Sequence, residues 1–362
     1  MDLSKLQLKP HKLFHHLDEV LKWQKGEPFA PIYVEISPTD LCNQNCHFCY
    51  TDYIKHQGKS IPGDLLIKIF EDLGKAGVKS VQVQGTGEPF INKSLPDAII
   101  AGYETGLSIG CGTNGYYLNE KTLTKILPYM EWIRFSSMEA NSELYAKSHQ
   151  TPERHFDVVT KNMCKAVELR KTLNPEVILS SMFLPFEYNT PYVVDVTKLM
   201  KEIGIDIFLI KSPNLDSSKT PDHIWPRDTF KNYSKLLHEA KALEDEEFIV
   251  DVRFDQFELQ KNEGPFKKNY ASCYGMKFET MIDADCKVYP CLSFWRNEEF
   301  CLGDLTKNSF EEIWSSKKCQ KKLNDIWDNY DPRNKCTFGC KQHWINESLW
   351  ELKNPPMHKN FL

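Results

Sequence analysis

Three cysteines fall within eight residues, in the run Cys42-Asn43-Gln44-Asn45-Cys46-His47-Phe48-Cys49. The spacing is C-x3-C-x2-C, and the run follows an apolar strand candidate at residues 32–36. Three thiolates on one short loop can hold three irons of a cubane cluster. The fourth iron then has no protein ligand and is open to a small molecule. A structural zinc site takes four ligands with paired C-x2-C spacing, which this uneven triplet does not match. Seven more cysteines lie between residues 273 and 340, while Cys111 and Cys164 stand apart. Four cysteines of that second group would also suit zinc.

Loops of this kind need elements to hold them. From residue 32 onward, apolar runs alternate with amphipathic stretches. The strands expected are 32–36, 79–84, 107–111, 131–136, 176–182 and 205–210, and the helices between them 62–76, 94–105, 119–129, 154–172 and 190–203. Such alternation predicts a parallel sheet with right-handed crossovers. Six units make an α/β fold, a partial (β/α)6 TIM-like barrel, with functional groups gathered at the C-terminal strand ends. A helix at 11–24 is expected on the outside of this domain, and its His11, His15 and His16 read as a solvated face. A Pro, Ser and Asp-rich stretch at 212–230 reads as a boundary loop, followed by a helix near 228–243. A short hairpin around Asp283–Asp285 and a helix at 309–324 belong to a small C-terminal α+β unit. The expected division is 1–27 (helical extension), 28–212 (barrel), 213–270 (linker and helix), 271–345 (cysteine-rich domain) and 346–362 (tail).

The 362 residues carry a net charge of -5, which gives no electrostatic footprint for nucleic acid. No apolar run reaches spanning length and no signal-peptide core opens the chain, so the expectation is a cytoplasmic protein without a membrane partner. In a reducing compartment grouped cysteines read as metal or redox groups, not disulfides.

The first cysteine run, with Phe48 as the aromatic before its last cysteine, resembles the hallmark of the radical S-adenosylmethionine (SAM) superfamily. The resemblance implies a 4Fe-4S cluster on Cys42, Cys46 and Cys49, with SAM chelating the open iron. It implies reductive cleavage of SAM to a 5′-deoxyadenosyl radical that abstracts hydrogen from substrate. Gly85-Thr86-Gly87-Glu88-Pro89, after the second strand, looks like the family's glycine-rich segment, apart from the inserted Thr86. There Gly85 and Gly87 are expected to let backbone approach SAM, with Glu88 as side-chain helper. Thr113 and Asn114 resemble the family's TNG turn, and Ser136-Ser137 the serine that meets SAM. Glu187, Tyr188 and Lys211 follow the later strands and are equally readable as substrate-facing or as loop residues.

The segment from Cys273 through a hairpin to Val288-Tyr289-Pro290-Cys291, then Leu302-Gly303-Asp304-Leu305 and Cys336-x3-Cys340, resembles the Twitch/SPASM extension of that superfamily. The resemblance implies one auxiliary 4Fe-4S cluster on Cys273, Cys291, Cys336 and Cys340, as in aminocyclitol dehydrogenases of antibiotic biosynthesis. Cys286 sits in the hairpin turn, where it reads either as a hydrogen-atom donor to a substrate radical or as a small buried thiol. The activity implied is dehydrogenation or epimerisation of a small, carbohydrate-like molecule, with flavodoxin or ferredoxin as reductant. A peptide substrate is the alternative, and an electron carrier or zinc module the non-enzyme readings.

Overall fold

The computed structural model describes residues 3, 12–51, 54, 56–136, 139–213, 229–261, 268–336, 340 and 342–360. A helix α1 (Leu17–Lys25) precedes the alternating unit β1 (Tyr33–Ile36), α2 (Gly63–Lys75), β2 (Ser80–Val83), α3 (Leu95–Glu104), β3 (Ser108–Thr113), α4 (Glu120–Ile126) and β4 (Trp132–Phe135). Two helices follow, α5 (Ser142–His149) and α6 (Arg154–Leu173), then β5 (Ile178–Phe183), α7 (Val193–Ile203), β6 (Ile207–Ile210), α8 (Thr229–Lys241), β7 (Ile249–Val252) and α9 (Phe254–Lys261). The C-terminal part holds β8 (Glu279–Ile282), β9 (Lys287–Tyr289), β10 (Gly303–Asp304), α10 (Phe310–Ser315), α11 (Lys317–Asn329), α12 (Pro332–Lys335) and α13 (His343–Lys353).

One ten-stranded sheet runs β10-β9-β8-β1-β2-β3-β4-β5-β6-β7. Strands β1 to β7 are parallel in sequence order, which is the open barrel expected from the alternation. Two features depart from the division read in the sequence. The 213–270 segment holds α8, a seventh parallel strand and α9, so it is more than a linker with one helix. Its strand was missed because Ile249-Val250-Asp251-Val252 is only four residues long, with Val250 alone fully covered. The cysteine-rich hairpin also does not pack as a separate sheet. Strand β8 pairs parallel with β1 in register, Tyr33 opposite Glu279 and Ile36 opposite Ile282, so the barrel sheet continues into it. The helix expected at 309–324 is two, because Ser316 ends α10 and caps α11.

Strand alternation sorts the sheet into two faces. Val34, Ile36, Val81, Val83, Ile109, Cys111, Ile133 and Phe135 are buried in the main core with Leu66, Phe70 and Ile99 from the helices. The alternate positions form the concave face. Tyr33, Gln82, Gln84, Trp132, Arg134, Ser180 and Met182 lie there, each half-buried, so this face is open. Gly110 makes room on it, since a Cβ at that position would overlap the Trp132 indole. Helix α1 packs Trp23 against Phe278, with Phe29 and Leu349 in the same cluster. The N-terminal helix thus lies on the C-terminal part, and α13 carries the expected tail back onto it.

Gly110→Ala is expected to cost about 1–3 kcal/mol, because the added methyl forces Trp132 out of its rotamer. The urea midpoint of the purified protein reads this directly. An unchanged midpoint would mean that Trp132 does not lie over Gly110.

Candidate active site

The first three cysteines stand on the loop after the C-terminal end of β1. All twelve cysteines are free thiols. Cys46 Sγ lies 3.2 Å from His149 Nδ1 and 3.5 Å from Gln44 Oε1. Cys49 Sγ lies 3.2 Å from Thr51 Oγ1, and the His56 imidazole also hydrogen-bonds it. Burial, and then the Cys42 and Cys49 thiols, push Cys46 well up. Burial also acts on Cys49, but hydrogen bonds from His56 and Thr51 outweigh it and hold that thiol below its ordinary value.

Phe48 stacks on Phe186 and meets His47 and His149 edge-on. Tyr188, at the end of the fifth unit, shares a 2.8 Å hydrogen bond with His47 Nε2 and a 2.9 Å one with the Ser148 hydroxyl. It therefore braces the cysteine loop. Glu139, buried beneath it, accepts from Ser148 and from Asn189 Nδ2, and burial holds its carboxyl up at about 7. Sequence reasoning missed His149, Gln44, His56 and Glu139. Helix α5, which carries His149, has weak apolar periodicity and left no signal.

The glycine-rich segment packs closely against the cysteine loop. A Cβ on Gly87 would overlap the Leu41 carbonyl, and one on Gly85 would overlap Ser37. Glu88 N donates to Leu41 O at 2.8 Å. These glycines thus let the β2 loop close against the cysteine loop. Glu88 is 2% exposed and turned inward. It accepts from Thr113 Oγ1 and Asn114 N, both at 2.7 Å, and from Phe90 N at 3.2 Å. It fixes the TNG turn from behind, its carboxylate enclosed by these donors. Asn114 Nδ2 in turn donates to Asn43 Oδ1 at 2.8 Å, tying that turn to the cysteine loop. Ser136 ends β4 half-buried, its N–H bonded to Thr113 O at 2.8 Å. Ser137 lies outside the described residues. Glu187 is exposed on the loop after β5, and Lys211 is half-buried just after β6.

The second set converges at the other end of the sheet. Cys273, Cys291, Cys336 and Cys340 line one cavity with Met276 and Phe294. Cys273 precedes β8, and Cys291 follows the antiparallel β9, so the hairpin returns to the end where it started. The sulfurs receive N–H groups: Asn346 Nδ2 to Cys273 at 3.2 Å, Ser293 N to Cys291 and Gln342 N to Cys340, both at 3.3 Å. Burial, reinforced by the neighbouring thiols, pushes Cys273 and Cys340 far up, and Cys291 up to about 12. Three thiols raised in this way, gathered round one cavity, ionise together only around positive charge, which is the chemistry of a metal centre. Among the described residues no three His, Cys, Asp or Glu side chains close on one ion. The thiols stand around a space instead, a fit for a cubane with several irons.

Cys286 does not face the mouth. It takes φ +64 in the hairpin turn and is 4% exposed, in the main apolar cluster with Val288, Leu302 and Leu305. Of the two readings of Cys286, its packing among these apolar side chains favours the small buried thiol. Cys301 is half-buried and Cys319 buried, away from either set.

An ion pair joins the two regions. Arg296 Nη2 lies 2.7 Å from Asp40 Oδ2, and Nε 2.9 Å from Asp283 Oδ2. Asp40 also accepts from Gln57 N and Lys59 N, and its carbonyl accepts from His56 Nδ1.

The comparisons with known proteins agree with this geometry. The family model described as "Radical SAM superfamily" matches residues 36–191, and the SPASM model, an "Iron-sulfur cluster-binding domain", matches residues 273–341. The probable GTP 3′,8-cyclase of Methanosarcina mazei is 25% identical over 297 residues, 77% of this chain and 82% of that protein. Streptococcus suis SuiB bound to SAM superposes with a TM-score of 0.65 at 15% identity, covering 86% of this chain and 72% of SuiB. SuiB bound to its precursor peptide SuiA gives 0.65 at 14% identity, over 94% and 77%. These structural likenesses show the fold alone. The chain carries a radical SAM domain and a SPASM domain. It is an enzyme, and its cofactors are a SAM-binding 4Fe-4S cluster, SAM and iron–sulfur in the SPASM part. No described helix is long and apolar enough to cross a membrane.

Removing the cation between two buried carboxylates leaves both uncompensated. Arg296→Met should cost about 3–5 kcal/mol in urea unfolding, and adding Asp40→Asn with Asp283→Asn should recover part of it. Equal midpoints for the wild type and the single variant would contradict the pairing. Glu88 gives a pH test. Burial raises its folded carboxyl from the ordinary 4.5 to about 7. The native state then holds a proton in that window that the unfolded chain has lost, so stability falls as pH rises through it. In the apoprotein, Glu88→Gln should flatten the fall in urea midpoint between pH 5 and 7; an unaltered slope would assign it elsewhere.

Proposed function

We propose that Cys42, Cys46 and Cys49 ligate the SAM-binding cluster, and that Cys273, Cys291, Cys336 and Cys340 ligate one auxiliary cluster. When bound, these groups supply a 5′-deoxyadenosyl radical at the mouth and an electron acceptor at the far end of the sheet. The chain's own residues do the rest. Gly85 and Gly87 press the β2 loop onto the cysteine loop, and Glu88 holds Thr113 and Asn114 at the mouth, where SAM would lie. Phe48 packs the loop against Phe186. Ser136, just after β4, completes the SAM-facing rim.

The substrate reading is a small polar molecule bound on the concave face, from which hydrogen is abstracted. The observation that carries it is the half-buried polar row Tyr33, Gln82, Gln84 and Arg134 under the cysteine loop. Tyr33 bonds Gln82, Gln82 bonds Gln84, and Gln84 reaches Tyr50 of the loop at 3.4 Å. A row of amides and hydroxyls suits an oxygen-rich, carbohydrate-like or nucleotide-like substrate, and relatives named GTP 3′,8-cyclase support the nucleotide variant. The core position of Cys286 favours net oxidation over epimerisation. A peptide substrate is the second reading, supported by the SuiA-bound fold neighbour. A flavodoxin or ferredoxin is the proposed reductant, and the cytoplasm the proposed compartment.

Anaerobic reconstitution with iron and sulfide should load about eight irons per chain, two cubanes. With dithionite and SAM, 5′-deoxyadenosine should appear. Replacing Cys42, Cys46 and Cys49 by Ala should leave about four irons and abolish cleavage, because the remaining cubane has four protein ligands and no open iron. Zinc in place of iron, with SAM intact, would overturn the proposal.

A further inference from the structure

The concave face carries a guanidinium whose charge no carboxylate among the described residues balances. Arg134 Nη2 donates to Gln84 Oε1 at 2.7 Å, and its guanidinium carbon stands 5.5 Å from the Trp132 ring centroid. Nε is buried with no hydrogen-bond partner. Among the described residues no carboxylate lies within ion-pair distance of it. The other enclosed arginines are matched: Arg170 meets Asp206, Arg253 meets Asp251 at 2.8 Å, and Arg296 meets Asp40 and Asp283. Partly enclosed charges in proteins are normally paired, since desolvation without a partner is costly. An arginine left with one amide and one ring face has fork donors to spare.

Its place in the fold says what those donors meet. Register puts Arg134 beside Gly112 on one side and Ser180 on the other. Gly112 bears no side chain, so the guanidinium is not walled off there, and an ideal Cβ at that position would stand 3.4 Å from Arg134 Nη2. Ser180 is small and half-buried. Gln84, the partner of Arg134, also touches Tyr50, next to Cys49. The guanidinium is thus one side chain removed from the first cysteine loop, on the open side of the sheet.

We infer that Arg134 is the receptor for an oxyanion of the substrate, a carboxylate or a phosphate, held on the concave face below the cysteine loop. This rests on the reading of that face as the substrate site and names the substrate's chemical class. Gln84 orients the guanidinium through Nη2, and Trp132 supports its flat face, leaving the remaining N–H groups for the bidentate contact that suits both anions. A neutral sugar with hydroxyls alone would leave the cation uncompensated.

The test uses the reconstituted holoenzyme. Phenylglyoxal modifies accessible arginines, and peptide mapping by mass spectrometry reads Arg134 separately. Saturating pyrophosphate or malonate should slow its modification by about tenfold or more, the scale of a charge-assisted contact, while glucose should not. Protection by pyrophosphate alone assigns a phosphorylated substrate. Protection by malonate alone assigns a carboxylated one, and protection by both leaves the oxyanion class intact. No protection by either, or equal protection by glucose, overturns the inference. Pyrophosphate binding by calorimetry is the second arm. Arg134→Gln should weaken it by about tenfold or more and Arg134→Lys by less, whereas equal affinity in Arg134→Gln would also overturn it. SAM cleavage by the same wild-type preparation is scored separately: its absence sinks the radical-enzyme reading, whatever protects Arg134.

Discussion

Arg296 reaches from the C-terminal hairpin to the loop that carries the first three cysteines. Both of its carboxylate partners are 0% exposed, and Arg296 itself is 14% exposed. Such a pair adds little net stability compared with apolar packing, yet it cannot be satisfied in any other register without stranding a buried charge. Asp40 uses its remaining acceptors on the N–H groups of Gln57 and Lys59, so one carboxylate fixes both ends of the 40–59 loop. Arg296 even takes φ +55 to make the reach, a conformation that costs a non-glycine residue energy and persists only when its surroundings demand it. The cysteine loop is therefore held from two directions: by the β2 and β3 loops through Gly87, Glu88 and Asn114, and by the SPASM hairpin through Arg296.

The two faces of the sheet divide the labour. The covered face is continuous apolar core and takes no part in chemistry. The concave face is where this chain departs from an ordinary barrel interior, which is filled by branched apolar side chains. Here small residues at Gly110, Gly112 and Ser180 leave volume, and Gln82, Gln84 and Arg134 furnish it with donors and acceptors. Polar groups left open in this way carry a desolvation cost that a bound partner removes.

Much of this was legible in the sequence where the signal is local. The C-x3-C-x2-C run, the six strand–helix units and the paired final cysteines follow from spacing and periodicity within short windows. What was not legible shares one cause, that the deciding neighbour is distant in the chain. Gly87 is a glycine because of Leu41, and Gly110 because of Trp132, contacts no window shows. Glu88 reads as a ligand side chain until its buried donors, Thr113 and Asn114, are placed. Cys286 occupies a turn, which suggests exposure, but β10 and Leu305 cover it. For Arg296, in the charged run Arg296-Asn297-Glu298-Glu299, nothing local indicates that its partner lies 256 residues away.

The continuity of β8 with β1 sets the geometry of the proposed reaction. The first cysteines lie beyond the C-terminal end of β1, and Cys273 and Cys291 lie at the opposite end of the in-register β8 and its hairpin partner. Four residues of strand separate those levels, roughly 13 Å at 3.3 Å per residue. Had the SPASM part been a domain on a linker, that span would vary with linker conformation. Built as added strands of the same sheet and pinned by Arg296, it cannot vary without breaking the ladder between Tyr33–Ile36 and Glu279–Ile282. A substrate on the concave face then lies between the two sets, with Arg134 at mid-strand. On the proposed assignment, the site where hydrogen would leave and the site where an electron would be taken are held a fixed distance apart by the shared sheet.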